Sequence, residues 1–110
     1  MPQLGTKVAA PREAMSERIA IAEMIAALES ASADCVSGSG CQRLLEKCLQ
    51  SVRSLQTGEF AGSAERAARA RSAAQMLRDA SLQNGCQMQP SMEDARRCMT
   101  YMLFAILQRQ

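Results

Sequence analysis

The sequence predicts an all-α protein, a four-helix bundle made from two antiparallel helical hairpins. Three observations carry that expectation. Apolar residues recur at three- and four-residue spacing over four long stretches, the stretches are separated by glycine-containing breaks, and the two halves resemble each other. Each half has a long alanine-containing helix, a loop with a cysteine, and a second helix with another cysteine: Glu17 to Cys35 to Cys48, then Glu65 to Cys86 to Cys98. Tandem helical-repeat packing is the alternative, but these helices are longer than tetratricopeptide helices and lack the characteristic repeat residues.

At 110 residues the chain suits one domain with a modest core. Residues 1–10 are expected as a flexible tail and residues 11–110 as a single helical domain. Pro11 is a natural helix entrance, since the first turn needs no amide donor. The first helix runs to about Ala33, with a main stripe of Ile21, Met24, Ile25 and Leu28 and a weaker one of Met15, Ile19, Ala22 and Ala26. Two stripes imply two neighbours.

Cys35 to Gly40 is a turn, with Ser39 available to cap the second helix. Cys41, Leu44, Leu45, Cys48, Val52 and Leu55 form that helix's apolar face, which ends before Gly58. Ser63 is the expected cap of the third helix, where Ala67, Ala70, Ala73, Ala74 and Leu77 allow close approach of a neighbouring backbone. Asn84-Gly85 is a stop signal. Ser91 is the expected cap of the fourth helix, with Asp94 at the capping-box position.

Composition excludes several functions. Thirteen bases are interspersed with eleven acids, for a formal charge of +2, so a nucleic-acid partner is not expected. Arg66, Arg69, Arg71 and Arg78, the best basic cluster, are separated by helical projection, with Arg71 and Arg78 near one edge and Arg66 and Arg69 elsewhere, and read as a solvated surface. No apolar run approaches the roughly 20 residues that cross a bilayer. Met1 through Pro11 lack the continuous apolar core of a secretory signal, and a soluble cytoplasmic protein is expected.

No histidine is present, which removes histidine-based zinc and haem coordination and the usual base for a cysteine nucleophile. Arg96 and Arg97 beside Cys98 offer weak thiolate stabilisation at most. Glu93 and Asp94 fit the first turn of a helix better than an acid–base pair. The expectation is therefore no enzyme, no catalytic residues and no cofactor.

Five cysteines without a secretion signal argue for thiols. Cys41 and Cys48 share an apolar face and are expected buried and unpaired. Cys35 and Cys41 flank the turn and are the most reachable local pair; Cys86 is a candidate exposed thiol. A cuprous site among Cys86, Met88, Met92, Cys98, Met99 and Met102 is the competing use of the soft side chains, although methionines more often fill core space or line an adaptable recognition groove.

The fourth helix carries more apolar surface than one core seam uses. Met92, Ala95, Met99, Met102, Leu103 and Ile106 form one broad face, while Tyr101 and Phe104 lie on the other side, flanked by Arg97 and Gln108. The resulting expectation is a noncatalytic small helical adaptor, assembly factor or dedicated chaperone. It binds a protein partner or a second copy of itself through Arg97, Tyr101, Phe104 and Gln108. The alternative is a soft-metal-binding or thiol-redox protein.

Overall fold

The computed structural model describes residues 2–58, 62–83 and 90–108, with side chains in the first helix from residue 17 onward. They form four helices, α1 (Pro2–Asp34), α2 (Gly40–Thr57), α3 (Ser63–Ser81) and α4 (Pro90–Leu107), and no strand occurs among the described residues. Each helix packs on two neighbours: α1 on α2 and α4, and α3 on α2 and α4. That closed square is the four-helix bundle the periodicity predicts. Cys48 meets Ala73 across the α2–α3 seam while Leu55 meets Arg66 further along, so these two helices run antiparallel.

Helix α1 starts at Pro2, well before the expected entrance at Pro11, so the backbone of residues 2–10 continues the helix. An interior proline removes one backbone donor and crowds the carbonyl four residues before it, yet the helix runs through Pro11. At 1.5 Å per residue, 33 residues span about 50 Å, close to the 53 Å long axis of the molecule. Ile21, Met24 and Leu28 are buried as expected, but the second stripe does not form a contact face: Ile19, Ala22 and Ala26 are exposed. Met15 lies outside the described side chains. Both neighbours instead meet the flanks of one broad face. Glu29 on one flank reaches Arg53 of α2 at 2.7 Å, and the charge of Glu23 on the other flank acts on Cys98 of α4.

Turn chemistry sets the bounds of α2. The Ser39 side chain accepts from the Gln42 backbone N–H at 3.1 Å, and Gln42 Oε1 accepts from the Gly38 N–H at 2.8 Å, a variant of the reciprocal cap. Gly58 closes the helix at φ +80°, a left-handed conformation that a side chain disfavours, with its N–H on the Ser54 carbonyl.

The other two caps differ from expectation. Gly62 caps α3 and Ser63 is its first residue, without a side-chain cap bond. Pro90 opens α4, which moves Ser91 inside the helix, where its buried Oγ has no hydrogen-bond partner. A fixed proline φ at the first helical position needs no serine cap beside it. Asn84 and Gly85 lie outside the described residues.

The core runs the length of the bundle. It joins Met24 and Leu28 of α1, Leu45, Val52 and Leu55 of α2, Ala70, Ala73 and Leu77 of α3, and Met92, Met99, Met102 and Ile106 of α4. The alanine face of α3 is buried at Ala67, Ala70, Ala73, Ala74 and Ala80, so small residues set the approach of its neighbours.

Candidate functional site

Successive residues of α4 turn by about 100°, which separates its side chains into two populations. Met92, Ala95, Met99, Met102 and Ile106 are buried and complete the core. Arg97, Tyr101, Phe104 and Gln108 recur at intervals of four, three and four on the outward stripe, and all four are exposed. Tyr101 is 59% and Phe104 63% exposed, high values for large aromatic side chains with a full core beneath them. Arg97 is paired with Asp94, three residues earlier, so the stripe begins with an ion pair instead of a lone cation. Half-buried Leu103, Ala105 and Leu107 border it.

Among the described residues, the soft side chains of α4 lie in or beside the core. Met92, Met99 and Met102 are buried in the core, which removes them from an adaptable surface groove. Met88 and Cys86 lie outside the described residues. No group of three metal-ligating His, Cys, Asp or Glu side chains occurs among the described residues. The Cys98 thiol is pushed up by burial and then by Glu23, with Arg97 opposing and Asp94 adding to the rise. The arginine beside it is thus outweighed, and Cys98 is a poor nucleophile at neutral pH.

Cys48 is buried as expected, its thiol donates to the Ala73 carbonyl at 3.2 Å, and burial pushes its pKa up to about 12. Cys41 departs from expectation. It is buried but disulfide-bonded. Cys35, its predicted local partner, stands with its Sγ 3.1 Å from Cys41 Sγ and keeps a thiol. Helical spacing shows which cysteines share a face but not which sulfurs a tertiary fold brings together.

A second feature was hidden in residues read as structural. Glu17 of α1 is buried and accepts from Arg66 of α3, whose other terminal nitrogen donates to the Leu55 carbonyl of α2 at 3.2 Å. Arg66 is therefore a cross-link among three helices, not part of a solvated arginine surface. The pair floors a cleft of about 600 Å³ lined by Arg18, Ile21, Leu55, Gln56 and Gly58. The Arg66 guanidinium is engaged by a carboxylate and a carbonyl, so the positive charge the lining offers beyond that pair is Arg18. The signal was a glutamate and an arginine in separate helices, which no local spacing rule connects.

No protein-family model, curated protein or solved structure matches the chain. None of the described helices is long and apolar enough to cross a membrane.

Proposed function

We propose that the protein is a noncatalytic helical adaptor, assembly factor or dedicated chaperone that docks a segment of a partner protein on the outer stripe of α4. The supporting observation is that Tyr101 and Phe104 stand exposed together while the core beneath them is complete. Folding alone does not account for two large aromatics in water one turn apart.

A fully covered Tyr or Phe buries about 150–250 Å². With three-fifths of each still exposed, the pair leaves roughly 240 Å² to cover, which at about 25 cal/mol per Å² is about 6 kcal/mol gross. Association itself costs about 4–15 kcal/mol. The aromatics are thus anchors, and flanking contacts at Arg97, Gln108 and the half-buried Leu103 and Leu107 complete the affinity. A second copy of the chain is the simplest alternative occupant. A cytoplasmic setting belongs to this reading, where a disulfide is more often transient than structural.

The test is affinity capture followed by a binding titration with the recovered partner, comparing wild type with Tyr101→Ser/Phe104→Ser. Docking on the stripe requires at least a tenfold loss of affinity in the double variant and none in Cys98→Ser. Equal binding by wild type and the double variant would refute it, and sedimentation of the purified chain separates self-association from hetero-association. A thiol-redox role is the second reading, favoured by the contact between Cys35 and Cys41.

A further inference from the structure

Helix α1 carries a second seam that the bundle leaves uncovered. Ile19, Ala22 and Ala26 follow one another at intervals of three and four and point away from the buried Met24 and Leu28; all three are exposed, Ile19 by 53%. That spacing makes Ile19, Ala22 and Ala26 successive a, d and a positions of a coiled-coil heptad. The charges beside them stand on the edges of the seam, Arg18 at g on one side and Glu23 at e on the other. Both side chains are exposed, and neither has an ion-pair partner among the described residues.

We propose that a second copy of the chain covers this seam, its α1 lying parallel to the first and in register about a two-fold axis. Arg18 and Glu23 select both the occupant and the orientation. They are five residues apart, so in a parallel pair Arg18 meets the partner's Glu23 along one edge while Glu23 meets the partner's Arg18 along the other. One face of the chain is thus complementary to itself, as a two-fold interface requires. An antiparallel pair would match like edges, acid with acid and base with base.

The apolar positions fit the same arrangement. A β-branched residue at a, here Ile19, favours two strands, and Ala22 and Ala26 let the backbones approach to the near end of the 8–10 Å range of helix separations. The seam ends at Glu29, the next d position, which Arg53 of α2 draws aside through a 2.7 Å ion pair. From Arg18 to Glu29 it is about 17 Å long, which places the pair among small, transient interfaces of under about 1,200 Å². Tyr101 and Phe104 belong to another helix, so the pairing does not rest on docking at α4. Together the two would give a dimer with two docking stripes.

Sedimentation velocity of the full chain, from about 10 µM to about 1 mM, tests the pairing. Wild type should pass from monomer to dimer with a midpoint on the order of 100 µM. Arg18→Glu and Glu23→Arg, each alone, set like charges together on both edges and should weaken dimerisation about tenfold. An equimolar mixture of the two variants places opposite charges on both edges again and should recover the wild-type midpoint to within about threefold. Both residues are exposed, so neither variant threatens the fold. Tyr101→Ser/Phe104→Ser should dimerise as wild type does, even if it no longer binds a partner protein. Wild type that stays monomeric throughout, or a mixture that associates no better than its components, overturns the proposal. A dimer lost in Tyr101→Ser/Phe104→Ser and kept in both charge variants also overturns it, and assigns the second copy to α4.

Discussion

Arg66→Ala removes a cross-helix cation from a buried carboxylate. Glu17 is 6% exposed and Arg66 is its cross-helix partner, with a side chain 18% exposed. Removing one member of a buried pair costs about 3–5 kcal/mol, because a charge already taken out of water loses the opposite charge that compensated it. The residual exposure of Arg66 favours the lower end, about 3 kcal/mol, even with loss of the bond to the Leu55 carbonyl. A domain of this size has about 5–15 kcal/mol in total, so the variant should remain folded but weakened. In urea, with a slope of about 1.5 kcal/mol per M, the midpoint followed by circular dichroism should fall by roughly 2 M. Arg53→Ala is the control: its pair with Glu29 is half exposed on both sides, and its loss should cost under about 1 kcal/mol. Replacing both Glu17 and Arg66 by Met should restore more than half of the lost stability, since apolar residues of similar size require no charge solvation. Equal midpoints for Arg66→Ala and Arg53→Ala would refute the reasoning.

Other perturbations test other parts of the fold. The buried Cys48 thiol keeps its proton up to about pH 12, whereas the unfolded thiol loses it near its ordinary value. The folded state therefore binds more protons above that value and stability falls as pH rises; between pH 9 and 10 wild type should lose about 1 kcal/mol more than Cys48→Ala in parallel denaturation curves. Ala73→Leu forces a branched side chain into the fully buried α2–α3 seam and should lower stability by about 1–3 kcal/mol, where Ala68→Leu on the exposed face changes it by under about 0.5. Ser39→Ala removes the side-chain acceptor of the Gln42 N–H and should cost about 1 kcal/mol, read as a lower thermal midpoint. Tyr101→Ser/Phe104→Ser should leave the urea midpoint nearly unchanged, since neither side chain supports the core.

The bundle was legible because its helices are marked by periodicity and breaks. Leu45, Cys48, Val52 and Leu55 return to one face of α2, and the alanines of α3 do the same; both faces are the buried ones. The outward stripe of α4 was also readable, since 101 and 104 fall opposite the positions that Met99 and Ile106 commit to the core. What escaped was tertiary. Ile19, Ala22 and Ala26 make a plausible second stripe on paper, but a helix in a square bundle reaches both neighbours from a single wide face, and these residues face solvent. The Glu17–Arg66 link depends on how the hairpins meet, which helical spacing does not encode, whereas the Cys35–Cys41 contact is local to one turn and was legible from their positions. Caps were read well where a side chain does the capping, as at Ser39, and misplaced where glycine or proline opens the helix, as at Gly62 and Pro90.

Site-specific photocrosslinking from position 104 tests the docking stripe most directly. Phe104 is replaced by a benzophenone-bearing phenylalanine in the full chain within its native cells, with Arg71, an exposed residue of α3, replaced as the control. The account requires a discrete adduct with another polypeptide, or with a second copy of the chain, from position 104 and none of that mass from position 71. No adduct from 104, or the same adducts from both positions, would contradict it.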